Sequence, residues 1–502
     1  MKYRLLISAI LPWVSHLILL VYGLLTLWIG IFYFEPWRDI AHVWVVVRDS
    51  PFLDIFGKIP SNSHPFLWFL LVKPLVILGL PYQSSIVLNI VCCIFAVYLL
   101  LYKAPLPLWL KICFIFAYPM LYEFTFPGRI YALGILLTFL ICSFLTKIKE
   151  KPILFATLLA LSFHTHFLFL AFSCPIAVYF IYKNYSKENI LKSKYLISFS
   201  ILIVSAIYFF WYIYALRKNY NAIFISDNKN NIIEIANKGL TLGQPEFIML
   251  SFFTLLLFII AQLKKFSALL ISVFALSFMF YALMNVLPQF NRYYQIFPVV
   301  LMALIWFSAT ITPPGSQKNT VPKQTLKQVK KIPEVPALKP KLGFLSISQF
   351  GFYLLFAGCL LISSFKGINA VTTEYKLPHS DSKTAAAFIN KNLLDYVLVG
   401  HRSYITSALV PYLPKGKSVW YADRKEFGTF LKFDSVYHKT NISVLFPAAI
   451  EAALKQFPKE QKLALILSIP LQQQVTKQWK LVYATRGEPI QQDESYFIYV
   501  RQ

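Results

Sequence analysis

Asp39 is the side chain in this sequence best placed to do chemistry. It stands in the stretch Glu35-Pro-Trp-Arg38-Asp39-Ile-Ala-His42-Val-Trp44-Val-Val-Val-Arg48-Asp49, just after the chain leaves a first long apolar run. Charged groups against a membrane are expensive to place and so point to function. A partly desolvated carboxylate there could take the proton of an acceptor hydroxyl as a general base. The spacing from Trp37 to Arg48 fits a helix lying in the interface, aromatics on one side and charges on the other. A structural alternative carries equal weight from spacing alone: Asp39 and Asp49 pair with Arg38 and Arg48, or cap that helix.

Cationic residues recur at matching places. His64-Pro65-Phe66 opens the following apolar segment, where His64 could hydrogen-bond a phosphate or simply cap a helix with Pro65 in its first turn. Glu123 and Arg129 flank a tight turn in Tyr122-Glu123-Phe-Thr-Phe-Pro127-Gly128-Arg129, and Asn291-Arg292-Tyr293 starts a later segment. Two Arg residues from separate helices suit the clamping of a phosphate ester, because guanidinium forks pair with phosphate oxygens. For each Arg alone, snorkelling to the interface is the competing account. His164-Thr165-His166 is an alternating pair whose side chains diverge on a helix, which suits a structural or phosphate-contacting role and no metal. The chain has no Walker-type phosphate loop, dinucleotide fingerprint or His-Glu-x-x-His motif. A cytoplasmic nucleotide-sugar site and ATP-driven transport therefore find no support, and no cofactor is implied.

The elements that must position these residues are membrane helices. Of 502 residues, 57% are apolar, and mean hydropathy is +0.59. Runs of about 18 apolar residues or more recur through the first three quarters, each long enough to span a bilayer. Spans are expected at 8–34, 66–102 (broken at Leu80 to Gln83), 107–122, 129–147, 152–183 (broken near its middle), 194–217, 246–263, 265–287, 292–311 and 344–366. That makes about eleven crossings, although 66–102 must make a single net crossing despite its turn near Pro81.

The net charge of +26 does not mark a nucleic-acid binder. Its lysines gather in short loops, as at Lys147, Lys149 and Lys151 and again at Lys183, Lys187, Lys192 and Lys194, which is the positive-inside pattern. That pattern places Asp39, Glu123, Arg129, Arg292, His64 and the His164–His166 turn at one outer face. All six Cys lie inside apolar runs as packing residues. The N-terminal run reads as a retained first span, with no small-residue cleavage site after it.

Residues 312–343 are rich in Pro and Lys with Glu334 as their one acid, a flexible cytoplasmic linker. The last span follows, and 367–502 reads as a small extracytoplasmic α/β domain. Its strands are expected at Tyr396–Gly400, Ser418–Tyr421, Leu463–Ile469 and Tyr496–Val500, with helices at Ser403–Tyr412 and Pro447–Phe457.

With those residues in place, the membrane part, roughly 8–311, resembles the polytopic glycosyltransferases of the GT-C type, which include protein O-mannosyltransferase and aminoarabinose-transferase relatives. Four stretches in order carry the resemblance: Arg38-Asp39, His64-Pro65, Arg129 to Leu133, and Arg292-Tyr293 running to Pro298. It implies an all-α polytopic membrane domain and inverting transfer from a polyprenyl-phosphate sugar to a glycan, lipid or protein acceptor. In that pattern Asp39 matches the acid that deprotonates the acceptor. Arg129 and Arg292 match positions that often hold the donor phosphate, and Tyr293 and His64 are further candidates for holding it, with the role of His64 left open. Two departures weigh against a metal-assisted mechanism: Asp39-Ile40 stands where many relatives have Asp-Glu, and His64-Pro65-Phe66 where they have His-Pro-Pro. They leave Glu35 open as an alternative base. The resemblance also implies a bacterial inner membrane.

Three rival readings stand beside it. A lipid-linked sugar transporter or flippase should carry ionisable groups near the midplane and an internal repeat, and neither is evident. A polysaccharide polymerase or ligase would place decisive residues in a large late loop, for which 218–245, near Arg217 and holding Asp227 and Glu234, is the candidate. A non-catalytic assembly factor would dispense with Asp39.

Overall fold

The computed structural model describes residues 2–57, 65–127, 129–186, 192–219, 230–263, 265–311, 344–431, 446–471 and 478–502. Among them, nine helices are long and apolar enough to cross a bilayer, and two shorter apolar helices join them, Leu67–Ile77 and Pro152–Phe163. The chain is an integral, multi-pass membrane protein. Helix α1 (Lys2–Phe32) shows how such helices sit: Trp13, Leu17, Leu20, Leu24 and Trp28 are exposed, while Tyr22 and Ile29 are buried against neighbours. Outward apolar side chains need lipid rather than water around them.

The first loop after α1 becomes helix α2 (Arg38–Asp49), whose eight residues from Ile40 to Val47 are all buried. This differs from the interfacial helix expected from spacing. α2 is wedged between helix α3 (Leu67–Ile77) and the C-terminal domain, and its charges sit at the two ends rather than along one side. Asp39 in the first turn and Arg48 in the last each complement the helix dipole.

Helix α3 resolves the problem of residues 66–102. At 11 residues it reaches only about 17 Å, roughly half the hydrocarbon core. Gly79 then turns the chain at φ +66 before Pro81, and α4 (Ser84–Lys103) is long and apolar enough for the crossing. The segment expected as one span at 107–122 breaks into a helix at Leu108–Phe116 and a wide turn at Pro119–Glu123. After it, α5 (Ile130–Phe144) begins directly behind Arg129.

The last long helix, α6 (Phe344–Lys376), runs ten residues past the apolar segment ending at 366. Hydropathy stops where polar residues begin, but a helix does not: Thr372 and Thr373 hydroxyls bond carbonyls one turn back and carry it on. Behind it, α7 (Ser382–Asn392) opens the C-terminal domain.

That domain is a three-layer α/β unit. Among the described residues its six strands are β1 (Val397–Gly400), β2 (Val419–Tyr421), β3 (Glu426–Gly428), β4 (Leu463–Leu467), β5 (Trp479–Ala484) and β6 (Phe497–Arg501). They run in the order β3-β2-β1-β4-β6-β5, with β1 parallel to both β2 and β4. β4 is buried at all five positions, as a central strand must be. Helix α7 and the turns at Ser403–Tyr412 cover one sheet face, and the helix Phe446–Gln456 covers the other. The sequence anticipated β1, β2, β4 and β6. It missed the short exposed β3, the outer strand β5, and α7.

Candidate active site

Three segments far apart in sequence meet at the end of the bundle where α2 begins. Asp39 lies in the first turn of α2. Arg129 stands just before α5 at φ +44, a conformation that non-glycine residues hold at a cost of about 1–3 kcal/mol and that concentrates at functional sites. Arg292 comes from the short helix Asn291–Tyr294 that precedes the span Ile296–Thr310. Both guanidinium groups converge on one oxygen: Arg292 Nη1 lies 2.7 Å and Arg129 Nη2 3.0 Å from Asp39 Oδ2. Arg129 Nη1 also donates to the Asp39 carbonyl at 3.2 Å.

Of the neighbour pairings that spacing allows, the structure contains one. Asp39 pairs with the distant arginines, not with Arg38. Asp49 does pair with its neighbour Arg48, at 2.8 Å, so at that position the structural account holds.

Burial alone would raise the Asp39 carboxyl. Arg129 foremost, then Arg292 and Arg38, outweigh that effect and hold it well below the usual carboxylate range. As it stands the group is a feeble base. The arrangement sets one carboxylate oxygen between guanidinium groups from two separate segments.

Around the pair, Trp37 carries the Arg292 guanidinium over its ring at 5.0 Å and that of Arg38 at 5.1 Å. The Tyr293 ring stacks on His166, with centroids 5.2 Å apart, and Tyr131 lies against the same imidazole. His164 faces away, bonding Ser205 Oγ at 2.9 Å and packing on Phe66. The two histidines thus diverge as their spacing requires. His64 lies outside the described residues, as do Asp227 and the linker 312–343. Glu234 forms a capping box with Asn231 at the start of Ile232–Thr241.

Glu123 is buried and accepts from the Tyr118 hydroxyl at 2.8 Å. Beside it is a group that sequence reading missed, Glu374 near the end of α6. Its Oε1 accepts from the Tyr122 hydroxyl at 2.5 Å and lies 2.6 Å from His379 Nδ1. Among the described residues, no three His, Cys, Asp or Glu side chains converge as metal ligands would.

Glu35 points elsewhere, into the C-terminal domain. It accepts from the Lys383 N–H at 2.6 Å and the Ser382 hydroxyl at 3.3 Å, at the start of α7. Burial pushes Glu35 up to about 7 against the Lys383 hydrogen bond, and pushes Glu494 in the same seam up to about 7 against the attraction of Arg38. Both carboxyls favour the protonated form when docked, so their stabilisation is full below about 4.5 and is lost as pH rises towards 7. Relative to the variant Glu35→Gln/Glu494→Gln, the wild type should lose a few degrees of thermal midpoint between about pH 5 and pH 7, and nothing further above. Parallel midpoints across that range, read by tryptophan fluorescence in detergent, would show that neither group titrates on docking.

No protein-family model matches the sequence, and no curated protein matches it either. Among solved structures, the crystal structure of ArnT from Cupriavidus metallidurans in the apo state aligns with a TM-score of 0.56. The alignment covers 98% of this chain and 98% of that one at 9% identity, so the likeness is one of fold. The chain has a GT-C-type fold, a polytopic helical domain followed by a small α/β domain, which is the fold its four short stretches resemble.

Proposed function

We propose that the chain is an inverting glycosyltransferase that moves a sugar from a polyprenyl-phosphate donor to an acceptor hydroxyl at the outer face of a bacterial inner membrane. One observation carries the reading: a carboxylate held between arginines from two separate helices, at one end of a GT-C-type bundle. The lysine-rich loops at 147–151 and 183–194 then face the cytoplasm, and the C-terminal domain lies outside.

The chemistry follows from the pairing. A lipid-borne donor arrives laterally, and its phosphate takes the two guanidinium forks from Asp39. Freed of them, the carboxylate regains ordinary basicity and can take the acceptor's proton. The acceptor oxygen bonds to the anomeric carbon from the face opposite the phosphate. The sugar–phosphate C–O bond breaks, and its electron pair leaves on the phosphate. Arg129 and Arg292 stabilise that leaving charge where it develops.

The test is transfer in membranes containing the chain, supplied with labelled polyprenyl-phosphate sugars or with labelled nucleotide sugars. Label should reach an acceptor from the lipid-linked donors and not from the nucleotide sugars. Label that crosses sealed vesicles while staying on its lipid would instead establish a flippase and overturn the reading.

A further inference from the structure

Arg38 precedes Asp39 but serves a different partner. Its Nη1 donates to Asp493 Oδ2 at 2.7 Å and lies 3.4 Å from Glu494 Oε1. Its backbone N–H donates to that same Glu494 oxygen at 3.1 Å. Glu494 is fully buried and lies in the turn Gln492–Glu494 just before β6, 456 residues further along the chain.

That backbone bond has a specific meaning. The first N–H groups of a helix have no partner within it and need a cap. α2 has Trp37 at its N-cap, and Trp37 supplies no side-chain cap. The cap comes from Glu494 instead, in the C-terminal domain, whose Oε1 accepts from the Arg38 N–H. Asp39 is the next residue along.

Arg38, held by that same side chain, meets Arg292 across a shared ring. The Arg38 guanidinium sits 5.1 Å over Trp37 and 5.4 Å over Tyr404 of the C-terminal domain, and Trp37 in turn carries Arg292. His379 closes the edge of Trp37 at 5.8 Å. An ordinary docking ion pair would join two side chains at a rim. This one fixes the backbone beside the proposed base and the ring beneath a phosphate-holding arginine.

We infer that Glu494 is a positioning residue: the C-terminal domain completes the active site by capping α2 and setting the Arg38–Trp37–Arg292 stack. The inference rests on the transferase reading for what is transferred, but the capping itself does not. Displacements of the order of 1 Å in such a constellation cost roughly 10²-fold in rate.

The experiment uses the full chain in lipid nanodiscs and compares wild type, Glu494→Ala and Glu494→Gln. The Gln variant keeps an oxygen for the Arg38 N–H. Glu494→Ala should lower kcat by about 10²-fold while donor KM stays within about threefold. It should also speed amide exchange in residues 38–41 and leave protection in β1 and β4 unchanged. Glu494→Gln should recover most of both effects. Unchanged exchange at 38–41 in Glu494→Ala would overturn the inference. A defect confined to donor KM, or loss of protection throughout the sheet, would overturn it too. If Glu494→Ala does not accumulate, Glu494→Met carries the same comparison, since it fills the space but offers the Arg38 N–H no oxygen. Wild-type membranes without transfer from any lipid-linked donor would sink the transferase reading, while the exchange arm would still decide whether Glu494 caps α2.

Discussion

Asp39→Asn is expected to cut transfer by about 10³-fold and, at the same time, to tighten donor binding by about tenfold. The first effect is the loss of the proposed base, since a positioned general base contributes about 10²–10⁴-fold. The second follows from the resting geometry. Arg129 and Arg292 meet on a single Asp39 oxygen, at 3.0 and 2.7 Å. A donor phosphate must displace that oxygen before it can use either guanidinium, so the carboxylate is a competitor built into the site. Asn keeps the shape and removes the charge, and the arginines then wait for an anion. Tenfold corresponds to about 1.4 kcal/mol, a modest figure that suits an Asp39 side chain still 29% accessible and so partly screened. Equilibrium binding of a labelled polyprenyl-phosphate sugar, beside the transfer assay, separates the two effects. Weaker binding by Asp39→Asn would mean that the carboxylate helps to hold the donor, and the displacement step would have to be abandoned.

The same geometry explains what could be read from the sequence and what could not. Membrane class and apolar segments were legible because lipid imposes a length and a composition on each helix, whatever the helix later packs against. Asp39, Arg129 and Arg292 could be grouped because the basic loops assigned them to one face. Their mutual contact could not be read, because Asp39 had a plausible partner one residue away in Arg38. Only the fold shows that Arg38 is engaged 456 positions downstream. The burial of α2 was hidden for a related reason. Its Val-rich middle and charged ends look interfacial until a domain is found lying on it. β3 escaped because three residues at a sheet edge carry little periodicity. Glu374 and Glu494 gave no local signal at all: each is an ordinary acid in an unremarkable stretch, and its role comes from what tertiary folding sets against it.

Removing both arginines should be the most damaging change to this site. Arg129→Ala and Arg292→Ala are each expected to lower transfer by about 10²–10³-fold, the scale for one lost donor to a developing oxyanion. The double variant should fall by about 10⁴-fold, no further than the smallest product of the two, because both groups act on the same phosphate and each loss weakens the other's role. Donor binding should weaken in every case, opposite to Asp39→Asn. The contrast matters, because a merely structural disturbance would move binding in one direction for all variants. Arg292→Lys should recover little, since an ammonium cannot reproduce a fork that also lies flat over Trp37 at 5.0 Å. The variants also leave Asp39 without the cations that depress it, so its carboxyl should climb towards or above the ordinary range under burial. Residual transfer by the double variant should then depend on pH where the wild type does not, rising as Asp39 ionises. If the double variant transfers at the wild-type rate, the arginines serve only to hold Asp39 in place, and the donor phosphate must be sought elsewhere in the bundle.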